Sequence, residues 1–266
     1  MPITKAVILA AGMGNRIAGV GDIPKPLLSL DGTPAGNTFL DFHLRALQQA
    51  GVREIFLVGN QRTFGTKLRA MTEIEATWIL NPTLDLTQSG SGHSAQFAWQ
   101  NAAQILDGTS RVLLMDADIV YSPEVLPRLA QSPGSLTLVS PKVAEDGEEV
   151  VVFARPENPD LAIRHGKGLY GTPLTEGLTA VGEATGMVVI DPQDHAFIRQ
   201  ATDWAIEYST AKTRSEHEDI TQLMMHCGRL RIARLLTGDF FMEVDTPADY
   251  ARLLQHSSRA AGLSPT

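Results

Sequence analysis

Short apolar runs alternate with amphipathic stretches through the first half of the chain, and this alternation restricts the available folds more than any single residue does. Ala6–Leu9, Glu54–Val58, Ala76–Leu80 and Val112–Met115 are too short for buried helices, and most are rich in Val, Ile and Leu, as strands covered on both faces are. Between them the spacing predicts helices over Thr38–Ala50, with Leu40, Leu44 and Leu47 on one stripe, and over Ser94–Leu106. Strands alternating with helices of this length pair in parallel through right-handed crossovers. The expected fold class is α/β: a doubly wound, mostly parallel, Rossmann-like sheet that takes its ligands at the carboxyl ends of the strands.

From Ser135 to about Ile190 the texture changes. Strand candidates Leu136–Val139, Val150–Phe153 and Met187–Ile190 are separated by loops containing Pro and Gly, with no clear helix. A mixed, partly antiparallel extension is expected there, and no linker flanks it as a separate domain would require. Helix starts are marked by Ser122-Pro123, Asp191-Pro192 and Thr246-Pro247, each a capping side chain before a proline at the first helical position. Ser215-x-x-Glu218 and Thr246-x-x-Asp249 resemble capping boxes.

Composition excludes several classes of function. A net charge of −8 argues against nucleic acid as the main partner, because binding a phosphate backbone needs a basic face. The single cysteine, Cys227, excludes an intrachain disulfide and a cysteine-rich zinc site. The apolar run Ala6–Ala11 falls far short of the ~20 residues of a membrane span and is also short for a leader peptide. A cytoplasmic enzyme beginning with a buried strand is the expectation.

Four segments carry chemistry. After the first strand stand Ala10, Ala11, Gly12, Gly14, Arg16 and then Pro24-Lys25-Pro26-Leu27. Two close glycines let backbone N–H groups approach a polyanion, and Arg16 and Lys25 bring cations suited to phosphate oxygens; the plainer reading is a surface loop with incidental charges. Ile17 stands where a dinucleotide fingerprint needs its third glycine, and no Walker A string occurs. The second segment, Thr87-Gln88-Ser89-Gly90-Ser91-Gly92-His93, opens a helix; Gln88 offers donors and acceptors to a base edge, while Ser91 as an N-cap explains the string equally well. In the third, Asp116-Ala117-Asp118 leaves a buried strand with two carboxylates that can face one hard cation. In the fourth, Glu243 and Asp245 alternate along a late strand, with a second capping acid as the plainer reading. His217-Glu218 lacks the second histidine of a zinc-protease helix, and there is no G-x-S-x-G elbow.

Together the four segments resemble the nucleotidyltransferase superfamily, which couples nucleoside triphosphates to phosphorylated small molecules. Its opening signature, A-A-G-x-G-x-R followed by P-K-P-L, stands here as Ala10, Ala11, Gly12, Gly14, Arg16 and Pro24–Leu27, and the likeness runs on to Asp245 and Asp249. The resemblance implies that Ala10, Ala11 and Gly12 hold base and ribose, while Gly14, Arg16 and Lys25 hold the triphosphate. Gln88-x-Gly90-Ser91-Gly92-His93 is similar to the uracil-reading Q-x-G-T-G-H string of one branch, with Ser91 for threonine. Glu243-Val244-Asp245-Thr246 is similar to the E-I-D-T of choline-phosphate cytidylyltransferases. Asp118 and Asp245 are thereby implied as Mg2+ ligands, with Asp116 and Glu243 as further candidates. A pyrimidine triphosphate fits both likenesses, and CTP is favoured over UTP.

The implied reaction is in-line attack by a phosphate or phosphonate oxygen on the α-phosphorus, with Lys25, Arg16, Asp118 and Asp245 as the catalytic set. The acceptor is a small molecule such as phosphocholine, aminoethylphosphonate, inositol phosphate or a sugar 1-phosphate. Lys167 and Arg164 are candidates for its phosphate and Glu183 for its hydroxyl or amine, against the plainer reading of solvated loop charges. Tyr170, Trp204 and Tyr208 could cage a quaternary amine, but the helical spacing of Trp204 and Tyr208 predicts core packing instead. The chain is read as one domain: about 1–135 for the nucleotide, about 136–190 for the acceptor, and about 191–266 for the last helices and the late acidic strand. Homo-oligomerisation is compatible with this reading. A D-x-D glycosyltransferase using a nucleotide sugar and a non-catalytic nucleotide-binding protein are the rival classes.

Overall fold

The computed structural model describes all residues except 13, 21–22, 33–36, 64–73, 84–87, 144–146, 148, 209–214 and 263–266; Met13 and Thr87 of the segments above lie outside them. Among the described residues, nine strands form one sheet in the order β3-β2-β1-β4-β9-β6-β10-β8-β7. Strands β1 (Ile3–Ala10), β2 (Glu54–Gly59), β3 (Thr77–Leu80) and β4 (Arg111–Asp116) are mutually parallel. These are the four apolar runs, each matched to within a residue or three.

The continuous hydrophobicity of β1, β2 and β4 follows from being covered twice, whereas β3, at the sheet edge, leaves Thr77 and Leu80 exposed. Val7, Leu9, Phe56, Val58 and Leu114 point into one core with Ala95, Ala98 and Trp99 of α2 (Ser91–Asn101). Ala6, Ile8, Leu57, Leu113 and Met115 point into the opposite core with Leu40, Leu44 and Leu47 of α1 (Phe39–Gln49). Successive strand residues thus alternate between two apolar faces. The cap of α1 is reciprocal: Thr38 Oγ1 accepts the Asp41 N–H and Asp41 accepts the Thr38 N–H.

Beyond β4 the sheet is mixed. Strand β9 (Thr179–Ile190) runs antiparallel between β4 and β6 (Leu136–Ser140), and its first half also pairs with β7 (Val151–Arg155). Strand β8 (Asn158–Gly166) pairs with β7 on one side and with β10 (Arg231–Arg234) on the other, and β10 returns to β6 in parallel. The pairings β9-β6-β10-β8-β7-β9 close on themselves, so a strand from the last third of the chain completes the 136–190 region. Outside this sheet, β5 (Ile119–Tyr121) pairs antiparallel with β11 (Phe241–Glu243).

Several local expectations are corrected. Helix α2 begins at Ser91 after Gly90, not at Ser94, and ends at Asn101, not Leu106. Ser122 does not cap α3 (Val125–Gln131), because its Oγ accepts the Phe240 N–H at 2.7 Å and so joins β5 to the approach of β11. Helix α5 (His217–His226) starts one residue later than its predicted box, with Asp219 accepting the Glu216 N–H. Trp204 and Tyr208 on α4 (His195–Tyr208) are not core residues: they are 53% and 58% exposed and lie against each other at 5.3 Å. Asp191 and Thr246 cap as expected, the latter at the start of α6 (Pro247–Gly262). Among the described residues, no helix is long and apolar enough to cross a membrane.

Candidate active site

The chain leaves β1 at the carboxyl edge of the sheet, and a short 3-10 helix, Asn15–Val20, follows. Asn60, just after β2, donates from Nδ2 to the Ala11 carbonyl at 2.6 Å. Gly14 has φ +63° and lies so near Lys25 that an added Cβ would sit 3.4 Å from the Lys25 Cβ. At Gly12 an added Cβ would meet nothing within 4 Å, so the protein's own packing does not require that glycine. Gly12 instead borders a cavity of about 780 Å3.

Lys25 opens a second 3-10 turn, Lys25–Leu27, and is only 8% exposed. Its Nζ donates to Asp118 Oδ2 and to Asp245 Oδ1, each at 2.7 Å. Arg16 reaches the other oxygen of Asp245 at 2.9 Å. Residues as far apart in the chain as Arg16 and Asp245 therefore share one knot of charge. The β5–β11 ladder makes this possible, since Glu243 pairs with Ile119 and the Val244 N–H bonds to the Asp118 carbonyl at 3.0 Å.

Burial works against the Lys25 ammonium, but Asp118 and Asp245 outweigh it and hold its pKa above the ordinary lysine value. Burial likewise raises Asp245, and Lys25 and Arg16 more than reverse this, leaving its carboxyl below the usual range. Carboxylate oxygens of Asp118, Glu243 and Asp245 lie within 4.8 Å of one another. Glu243 touches solvent, yet the protein crowded around it, together with Asp118, Asp245 and Asp116, pushes its carboxyl up to about 9. An all-oxygen donor set of three carboxylates suits a hard divalent cation such as Mg2+, which binds through one or two carboxylates plus ligand oxygens.

Asp116 lies at the end of β4 and is pushed up to about 8, by burial first and then by Asp118, Glu218 and Glu216. Gly186 makes room for it: at φ +71°, an added Cβ would lie 2.2 Å from Asp116 Oδ2. Across the cavity the start of α5 docks on the Gly90–Gly92 turn. Glu216 Oε2 accepts the Ser91 N–H and hydroxyl at 2.8 Å, Ser215 O accepts the Gly92 N–H at 2.9 Å, and Ser91 Oγ accepts the His217 N–H at 2.8 Å. Added Cβ atoms at Gly90 and Gly92 would approach Ser215 O to 2.4 and 2.8 Å. These glycines therefore have a packing reason of their own. His217 Nδ1 faces Glu218 at 3.1 Å, and its Nε2 is 3.9 Å from Asp116.

Of the residues singled out from sequence, Ala10, Ala11, Gly12, Gly14, Arg16, Lys25, Ser91, Asp116, Asp118, Lys167, Glu243 and Asp245 border this one cavity. Ser91 borders it with its polar atoms engaged by Glu216 and His217, and Gly92 is turned to Ser215. Gln88 is exposed and Glu183 lies on β9 opposite Ser140 and Val151; neither borders the cavity, nor does Arg164. Tyr170 lines a different hollow with Phe153 and Leu178, so no aromatic cage forms from the three residues considered. Sequence reasoning missed His165, Glu216, His217 and Glu218, which form the far wall. For the last three the signal in the sequence was the helix start around Ser215; His165, on β8, had none.

Fold and site define a class. The sequence pattern described as the MobA-like NTP transferase domain matches residues 6–175, so the chain belongs to that family of nucleotidyltransferases. Among particular proteins, the inositol-1-phosphate CTP transferase from T. maritima superimposes with a TM-score of 0.71 over 96% of both chains at 18% identity, a likeness of fold. The bifunctional IPC transferase and DIPP synthase of Thermococcus kodakarensis is 30% identical over 156 residues, and the CMP-5'-(3-aminopropyl)phosphonate synthase of Streptomyces rubellomurinus is 32% identical over 133. Those stretches are 58% and 48% of this chain but only 32% and 19% of the two relatives.

Proposed function

We propose that the chain transfers a cytidylyl group from CTP to a phosphonate or phosphate oxygen of a small acceptor and releases pyrophosphate. One observation carries this reading: Lys25, Arg16, Asp118 and Asp245 converge beside a glycine turn that leaves open space at Gly12. The name of the T. maritima structure and the Glu243-Val244-Asp245-Thr246 string support CTP, and the name of the Streptomyces relative supports a phosphonate acceptor.

In this reading Ala10, Ala11, Gly12 and Gly14 receive ribose and phosphates, with Gly90 and Ser91 on the base side. Lys25 and Arg16 hold the departing pyrophosphate and stabilise the charge that gathers on it. An acceptor phosphomonoester has a second pKa near ~6 and is largely dianionic at pH 7, so the chain need not supply a general base. Its task is to align two polyanions and suppress their repulsion. When bound to Asp118, Asp245 and Glu243, Mg2+ would supply electrostatic activation of the α-phosphate. Lys167 meets the acceptor's anionic end, and the wall of Glu216, Glu218 and Asp219 suits an amino group at the other.

The test crosses four nucleoside triphosphates with 2-aminoethylphosphonate, 3-aminopropylphosphonate, phosphocholine, inositol phosphate and sugar 1-phosphates, following pyrophosphate with Mg2+ present. CTP with an aminoalkylphosphonate or phosphocholine is expected to respond most strongly. Silence in every combination, or release of a nucleoside diphosphate from a nucleotide sugar, contradicts the proposal.

The same reading makes Gly186 critical. Gly186→Ala places a Cβ against Asp116 and forces a left-handed backbone on a residue that resists it by about 1–2 kcal/mol. A displacement near 1 Å in such a site costs about 10²-fold in rate. Pyrophosphate release and chemical denaturation on the same preparation are expected to show both losses.

A further inference from the structure

His43 lies on the apolar face of α1 and is fully buried, yet it makes one polar contact: its Nε2 is 3.2 Å from the Ala117 carbonyl. A carbonyl only accepts, so Nε2 carries the proton. Burial pulls the ring's pKa down to about 4, and the imidazole is neutral with a bare Nδ1. Among the described residues neither that Nδ1 nor the buried Tyr121 hydroxyl has a partner, and the two rings stack with centroids 5.8 Å apart. A buried polar atom without a partner costs stability, so packing alone would be served better by an aliphatic side chain here.

The bond lands on the residue between Asp116 and Asp118. Ala117 is itself buried, and the next carbonyl, of Asp118, is taken by the Val244 N–H at 3.0 Å. The turn that presents the carboxylates is thus held by two backbone acceptors: one tied to β11, which brings Asp245, and the other tied to α1. We infer that His43 is a positioning residue for the divalent-cation site, fixing the Asp116–Asp118 turn through the Ala117 carbonyl. It touches neither substrate nor cation. The inference rests on the reading of Asp118 and Asp245 as cation ligands.

The test uses Mn2+ as the probe, with its free concentration read by electron paramagnetic resonance on the full chain, beside melting curves. Outer residues that orient metal ligands typically shift affinity by about 10–100-fold. His43→Leu is expected to keep or raise the melting temperature while weakening Mn2+ binding about tenfold. His43→Gln, whose amide N–H reaches the position of Nε2, is expected to restore most of the affinity; His43→Asn, whose amide is too short, is not. Should the leucine variant fail to fold, the Gln and Asn pair still decides the matter. Equal Mn2+ affinity in wild type, Gln and Asn variants overturns the role of His43 and leaves the cation site standing. If the wild type binds no Mn2+ with CTP present, the cation-site reading falls, and this inference with it.

Discussion

Lys25→Met is expected to lower turnover by about 10²–10³ while tightening Mn2+ binding to the nucleotide-free protein. Both effects come from the same two contacts, the 2.7 Å bonds to Asp118 and Asp245. In the resting chain the ammonium neutralises the carboxylates that a divalent cation would neutralise when bound. Without it the cluster is more negative and attracts a cation more strongly. The leaving pyrophosphate, however, loses a preorganised charge that no added cation replaces in the same place. Removing one partner of a buried ion pair also costs stability, here about 2 kcal/mol because both carboxylates keep some contact with solvent. Added Mn2+ is expected to recover most of that loss in a melting experiment. Turnover within threefold of wild type would show that Lys25 is a structural lysine.

Asp118→Asn is the second large effect, with about 10²–10³ lost from turnover. Asparagine keeps the shape of the side chain and leaves the Val244 N–H to Asp118 carbonyl bond in place, so the β5–β11 junction is expected to survive. The negative charge is what disappears. Half-saturation by Mg2+ should therefore move to higher concentration, with the circular dichroism spectrum unchanged. A rate loss that high Mg2+ does not relieve at all, with cation affinity unaltered, would remove Asp118 from the ligand set.

The parallel half of the sheet was legible because β1, β2 and β4 are buried on both faces and need almost nothing but apolar residues, while the edge strand β3 keeps Ile79 in the core. Strand β9 was only partly legible. Its last four residues form an apolar run, but its first eight alternate with partly exposed positions and contain Gly182 and Gly186, which read as loop. The start of α2 was misplaced because Gly90 and Gly92 look like turn residues. They are glycines where the Ser215 carbonyl comes too close for a side chain, a contact spanning more than a hundred residues. Trp204 and Tyr208 have core spacing but lie on the exposed face of α4.

The candidate site divides in the same way. Gly14, Arg16, Lys25, Asp118 and Asp245 could be read because they fall in patterns that chemistry requires: a glycine loop carrying two cations after β1, and acids just past the ends of β4 and β11. Glu216, His217 and Glu218 could not, because acids at a helix start are already explained by capping and the helix dipole. His43 falls on the buried stripe of α1, where a histidine looks like one more core residue. Only the tertiary contact with Ala117 sets it apart.

The central claim is that Lys25, Asp118 and Asp245 surround the cation-bound tail of a nucleoside triphosphate. The most direct measurement is a crystal structure with Mn2+ and a non-hydrolysable CTP analogue, the ion located by its anomalous signal. The account predicts a Mn2+ peak bound by Asp118 and Asp245, with the triphosphate along Gly12–Gly14 and its terminal phosphates against Lys25 and Arg16. A triphosphate bound elsewhere, or a Mn2+ ion held without either aspartate, would contradict it.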